Sequence, residues 1–523
     1  MINSIWTKRL LRSFLPFYLF TLFPLSVDAQ GERVVRGDCL PDLNDEGTIT
    51  RGSQRRLPAI RTDWNKDSIY RQLVLLVEFE DTTFSFTNPQ AVYDSIFNCE
   101  GYNQRYGKGC VAEYFRDQSD SLFNMRFDVF GPYRTSSKAQ PYDKPTANTR
   151  NYGKALFVEA VNAMLAEHPE TDYSVYDWDK DGNVDQIIFV YAGPGGNASQ
   201  AFYGHIWPNT SSFSTVTAPD GTRLSNYSAS NELLSGVSAG IGTICHEFSH
   251  CLGLPDIYPT KGTVYSVLDE WDLMDGGNFT NYGWCPPNYT PLEKMLLGWF
   301  EPEELTEAAS ITNLKPVSEG GTVYKISHTA SEYYLLENRQ QIGWDFGLPG
   351  KGLVVYHVNY DKSAWGANKV NGNNDLMRFE LVAADNLDYA SSMLWAKETY
   401  GRQYLDKRQR LNSFIFSNAA FPWIADSAEV KNCELTDSSI PSARMTQKNK
   451  AGSYMLSKPI TNIRMSEDGL ISFDFMGGVY DGISSVTTRR RAAADKVYNL
   501  QGQQVAVPRK GIYIVDGKKV IIR

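Results

Sequence analysis

The sequence predicts an α+β chain built in three successive parts, and three patterns place it there. Leu73-Val74-Leu75-Leu76-Val77 is a buried-strand run, followed by helical apolar spacing over residues 152–166 and a second strand at residues 186–191. After about Trp299 the pattern changes to short alternating strands separated by turn residues, which predicts an all-β part. Near the C-terminus Asp516-Gly517 stands between two apolar runs, the signal for a two-residue hairpin.

Taken in order, residues 1–29 read as an export signal. Lys8, Arg9 and Arg12 precede an apolar run over residues 14–27, and Val27 and Ala29 supply small residues for cleavage. Residues 30–65 have little periodicity and read as a leader or propeptide, residues 66–300 as the α+β domain and residues 301–480 as the β-rich domain. Residues 481–523 then form a linker and a small β domain. Length and composition agree with this division. A chain of 523 residues is too long for one ordinary domain, and 42% hydrophobic with 13% aromatic content supports packed cores. The formal net charge of −9, with no sustained basic stripe, argues against nucleic acid as a partner. Arg489-Arg490-Arg491 reads as a solvated linker. Seven cysteines behind an export signal permit disulfides. Cys99 and Cys110 bracket a short Gly- and Tyr-rich loop and are the first pair expected to bridge.

The chemistry is concentrated in His246-Glu247-Phe248-Ser249-His250-Cys251-Leu252-Gly253-Leu254-Pro255-Asp256. Two histidines four apart on a helix lie one turn above each other, so both imidazoles can grip one ion. Glu247 between them can take a proton from a water on that ion. Gly253 can end the helix in a left-handed conformation, and Asp256 then arrives from the returning segment as a third, anionic ligand. Three protein ligands leave a fourth position for chemistry. Ile241, Ile244, Phe248, Cys251 and Leu252 supply an apolar face opposite the histidines. The competing reading is a buried helix with two hydrogen-bonded core histidines. Cys245 and Cys251 point to different sides of this helix and are not expected to ligate.

This extended motif resembles the metzincin clan of zinc peptidases, and its Gly-Leu-Pro-Asp ending resembles the immune inhibitor A family of secreted bacterial metallopeptidases. The resemblance covers roughly residues 70–420. It implies a zincin/metzincin-like catalytic domain, zinc held by His246, His250 and Asp256, Glu247 as the catalytic base, and protein or peptide substrates. Trp271-Asp272-Leu273-Met274-Asp275-Gly276-Gly277 looks like the methionine turn beneath the metal, with Met274 as its methionine. Some metzincins place a tyrosine two residues later. Here that residue is Gly276, and nearby Tyr282 is a candidate to stabilise the oxyanion. Cys39, in the leader, could offer a thiolate to the open metal position, or it could be disulfide-bonded or simply free.

Asp177, Asp179, Asp181, Asn183 and Asp185 alternate around Gly182, a pattern that suits a hard cation such as calcium. Ile188 stands where an EF-hand would have its closing glutamate, and a turn held by side-chain hydrogen bonds is the alternative. The C-terminal hairpin resembles the sorting domain of type IX secretion. That resemblance implies a passage across the outer membrane by the secretion machinery, to the cell surface or medium. Two rival functions stay open at this point. One is a catalytically inactive surface adhesin on a metallopeptidase scaffold, and the other is a zinc hydrolase of small amides or glycans.

Overall fold

The computed structural model describes residues 41–43, 49–51 and 57–479, except for 104–106, 141–146, 198–204, 235, 263–265, 373–375, 401–414, 426 and parts of a few helix and strand side chains, together with C-terminal strands between 497 and 522. The export signal, Cys39, Arg489–Arg491 and the Asp516-Gly517 turn lie outside the described residues. Among the described residues, no helix is long and apolar enough to cross a membrane.

The first part is organised by a mixed sheet. Strands β3 (Ile69–Glu78), β4 (Asn124–Arg134), β5 (Ile187–Pro194), β6 (Asn209–Thr217) and β7 (Arg223–Leu234) lie in the order β4-β3-β5-β7-β6. All neighbours are parallel except the edge strand β6, which runs antiparallel to β7. Strand side chains alternate between faces, so β3 divides its apolar run between two cores. Leu73, Leu75 and Val77 pack with Leu156, Phe157 and Val161 of α3 (Ala147–Glu167). Val74 and Leu76 face α1 (Pro89–Asn98), α2 (Val111–Gln118) and α4 (Gly242–Ser249). Burial on both faces explains why this strand reads as a continuous apolar run.

The expected Cys99–Cys110 bridge is absent, since both thiols are free. Cys110 has another task, as the N-cap of α2. Its buried Sγ accepts the Glu113 N–H at 3.4 Å while Glu113 Oε2 accepts the Cys110 N–H at 2.9 Å, and Cys99 is exposed.

Downstream, a second sheet takes the order β10 (Glu303–Glu304), β12 (Tyr324–Ser327), β13 (Glu332–Arg339), β14 (Gly352–Asn359) and β15 (Phe379–Leu381). A three-stranded sheet of β11 (Ala309–Leu314), β19 (Ile471–Phe475) and β18 (Ile460–Met465) packs on it. The expectation of an all-β part needs correction here. It also carries α6 (Lys362–Gly366), which Asp361 caps by accepting from Ser363 N and Ala364 N, and α7 (Tyr389–Tyr400). Nor does the core stop at residue 300. Tyr333, Leu335, Val354 and Tyr356 join the core around α4, while Tyr334, Leu336, Leu353 and Val355 point into a separate downstream core.

Arg339 fastens the seam. It is fully buried, with Asp345 on Nε and Nη2 at 2.7 and 2.5 Å, Glu337 on Nη1 at 3.0 Å, and the Asn288 carbonyl on Nη2 at 3.2 Å. At the C-terminus β21 (Gly511–Val515) and β22 (Lys518–Ile522) pair antiparallel with Val515 opposite Lys518, as the hairpin signal predicts.

A second ionic cluster lies on β13 and β14. His357 is flanked by Glu332 at 2.8 Å and Glu380 at 3.1 Å, and Glu332 also accepts the N–H groups of Thr446 and Gln447. Burial disfavours the imidazolium, but the two carboxylates override it and raise His357 to about 9. Burial likewise opposes ionisation of Glu332, and the bonds from His357 and Thr446 hold it down at about 2. The His357 contribution to stability is therefore complete below its ordinary value of 6.5 and is lost as pH rises through about 9. The Glu332 contribution is complete above 4.5 and is lost as pH falls through about 2. Replacing His357 by Ala should cost about 3 kcal/mol. In urea titrations the gap from the parent should be widest between about pH 5 and 6.5 and should narrow above about pH 9.

Candidate metal centre

The helix α4 can press closely on the segment that follows the methionine turn because residue 242 is glycine. A β-carbon there would lie 2.1 Å from the Asn278 carbonyl oxygen. Beyond Ser249 the helix tightens into one 3₁₀ turn over His250–Leu252, and Gly253 ends it at φ 95°. That left-handed residue reverses the chain. A side chain at 253 would also strike Ile60, whose Cα would lie 2.8 Å from the new β-carbon. The return brings Asp256 under the helix, where Asp256 Oδ1 lies 3.3 Å from His246 Nε2 and 3.2 Å from His250 Nε2. All three residues are almost fully buried, and their ligand atoms lie within 4.8 Å of one another.

The outer nitrogens fix the tautomers. His246 Nδ1 is 2.9 Å from the Leu273 carbonyl and His250 Nδ1 is 2.7 Å from the Leu254 carbonyl. A carbonyl only accepts, so each Nδ1 carries the proton and each neutral ring turns a lone pair on Nε2 toward Asp256. Two lone pairs and a carboxylate oxygen then face one another, and His246 Nε2 and Asp256 Oδ1 are buried without a hydrogen-bond partner. Tetrahedral zinc with ligands at about 2.0–2.1 Å sets them about 3.3–3.4 Å apart, and the observed separations match. The residues present fit a zinc ion. Without an ion the trio is tightly coupled: burial pushes Asp256 up, yet proximity to His250 and His246 holds its carboxyl well below the usual range. His246 is raised despite its burial by the adjoining carboxylate of Asp256 and the charge of Glu247.

Glu247 is 1% exposed, and its two oxygens differ. Oε2 accepts from Thr210 Oγ1 at 3.0 Å, a hydroxyl that also lies 2.6 Å from the Glu247 carbonyl, while Oε1 has no partner among the described residues. Met274 is fully buried. Its carbonyl accepts the Ile257 N–H at 2.9 Å, which ties the methionine turn to the segment carrying Asp256. Leu273, one residue earlier, orients His246. Tyr282 is half-buried with left-handed backbone at φ 58°, in the segment packed against α4. Tyr258, which the sequence did not single out, lies parallel to the His246 ring with centroids 6.5 Å apart.

In the acidic loop the structure gathers Asp177, Asp179 and Asp185 but turns the other two residues elsewhere. Asn183 Oδ1 accepts from Arg223 Nε at 2.8 Å, and Asp181 Oδ1 accepts the Asn183 N–H at 2.8 Å. Burial, with the charge of Asp179, lifts Asp185 to about 6 even though the Trp178 N–H favours its ionised form. Asp361 caps α6 and pairs with Arg378, which leaves it engaged in structure.

Two further residues at this centre escaped the sequence reading, Thr210 on β6 and Asn368 after α6. Asn368 Nδ2 donates to Asp256 Oδ2 at 2.6 Å and its Oδ1 accepts the Asp256 N–H at 2.7 Å. Neither residue belongs to a local motif, and each meets its partner only through the fold.

Comparison with known proteins bears on the same residues. The chain is 24% identical over 232 residues to the pre-pro-metalloprotease PrtV of Vibrio cholerae serotype O1, an alignment covering 39% of this chain and 25% of that protein. It is 25% identical over 314 residues to immune inhibitor A of Bacillus thuringiensis subsp. alesti, covering 52% of this chain and 44% of that one. The chain thus spans a quarter to under half of the length of these curated relatives. Residues 65–294, which include α4, Met274 and the acidic loop, match the model of the immune inhibitor A peptidase M6 catalytic domain.

Proposed function

We propose that the chain is a zinc-dependent endopeptidase acting on polypeptides outside the cell. The observation that carries this reading is the convergence of His246 and His250 on Asp256 Oδ1 at 3.2–3.3 Å beside a glutamate with one uncommitted oxygen. His246 Nε2, His250 Nε2 and Asp256 Oδ1 would hold the metal. When bound, zinc supplies a Lewis acid that polarises the scissile carbonyl and acidifies a water. Glu247 takes the proton of the attacking water at Oε1 and returns it to the departing amine. Thr210 keeps Oε2 occupied, so the carboxylate presents one defined oxygen to the reaction. Tyr282 is our candidate for stabilising the oxyanion.

The remaining assignments belong to the same proposal. Asp177, Asp179 and Asp185 bind calcium as a structural clamp, supported by the gathering of three carboxylates. Residues 1–29 direct export, and the C-terminal hairpin engages outer-membrane secretion machinery, supported by the antiparallel pairing of β21 and β22.

Casein cleavage should stop on chelation and return with zinc. Glu247→Gln should lower kcat about 10²–10⁴-fold with zinc content unchanged, and parental turnover by this variant would remove the mechanism. Calcium at a hundred times its Kd should stabilise the parent by about 2.7 kcal/mol in thermal unfolding. Asp185→Ala should abolish that response, and an equal response in the variant would refute the calcium assignment.

A further inference from the structure

The third ligand of the centre is held by a residue outside the segment that matches the peptidase domain. Residues 65–294 contain His246, Glu247, His250 and Asp256, but Asn368 lies 112 residues beyond Asp256 in sequence. Its amide spans the aspartate completely, accepting from the Asp256 backbone N–H at 2.7 Å and donating to Asp256 Oδ2 at 2.6 Å. This pairing decides which carboxylate oxygen is left over. Oδ2 is engaged, so only Oδ1 faces the two imidazoles, where it has no other partner.

The arm that carries Asn368 is rigid for identifiable reasons. Asp361 caps α6, and Trp365 is 1% exposed in the shared core. Asn368 itself adopts φ 53°, a left-handed conformation that asparagine tolerates better than most residues. Its own carbonyl accepts from Thr260 Oγ1 at 3.2 Å. Three residues on, Asn371 Nδ2 donates to the carbonyls of Ile257 and Phe379, both at 2.8 Å, which pins the arm to the segment after Asp256 and to β15.

We infer that Asn368 is a positioning residue for the metal, fixing Asp256 as a ligand through one oxygen from the downstream part of the chain. The inference rests on the zinc reading of the centre and deepens it. A carboxylate freed of this amide would have a buried oxygen without a donor and would be free to rotate its ligand oxygen away from the imidazoles. Partners of this kind are worth about 10–100-fold in metal affinity.

The test is zinc affinity of the full chain, measured by competition with a chromogenic chelator and independent of turnover. Asn368→Gly keeps the left-handed backbone and removes both side-chain hydrogen bonds, and Asn368→Ala serves as the second variant. Each should bind zinc about 10–100-fold more weakly than the parent while the metal-free variants stay folded, as circular dichroism reads. The cobalt-substituted variants should show a shifted visible spectrum, which a purely structural role would leave alone. Parental zinc affinity and cobalt spectrum in either folded variant would overturn the inference while leaving the zinc reading intact. A parent that retains neither zinc nor cobalt would instead overturn the zinc reading on which it rests.

Discussion

Three buried electron-rich atoms, with the Asp256 oxygen 3.2–3.3 Å from each imidazole nitrogen, form the constraint around which this molecule is built. Two imidazole lone pairs and a carboxylate oxygen repel one another unless positive charge stands between them, and in a buried setting solvent does little to soften that repulsion. The chain must therefore hold them from behind. The Leu273 carbonyl, in the methionine turn, holds His246, and the Leu254 carbonyl, just past Gly253, holds His250. The amide of Asn368 holds Asp256 from the far side. Each support comes from a different element, so the geometry of the centre samples the whole local fold.

What the sequence disclosed follows from range. The His246–His250 spacing, the Gly253 reversal and the arrival of Asp256 are all decided within eleven residues, and helical pitch with one left-handed glycine suffices to read them. The buried strand over residues 73–77 and the Asp-Gly hairpin were legible for the same reason, since a short continuous apolar run and turn chemistry are local. The helices α6 and α7 were hidden because α6 is little more than one turn and α7 gathers its apolar residues on no single face. The acidic loop was read as five ligands where three converge, because Arg223, forty residues away, claims Asn183. The Cys99–Cys110 expectation failed similarly. Spacing suggested a loop closure, while the cap of α2 had already engaged Cys110. Thr210 and Asn368 could not be found at all by local pattern, for they meet Glu247 and Asp256 across 37 and 112 residues.

The two parts of the chain are less separable than a change of pattern near Trp299 suggests. One face of β13 and β14 completes the core around α4, and their other face builds the downstream core, so alternation within two strands joins both. Arg339 adds a polar rivet, placing its guanidinium between Asp345 and Glu337 and onto the Asn288 carbonyl.

That rivet has a consequence for the order in which the molecule is assembled. A chain made from its N-terminus completes α4 and the methionine turn well before β13 and β14 exist. During that interval the nascent first half exposes the apolar surface they will later cover. Early compaction of this half alone would leave a sticky intermediate. Safe maturation thus favours keeping it extended until the Arg339 strand has emerged.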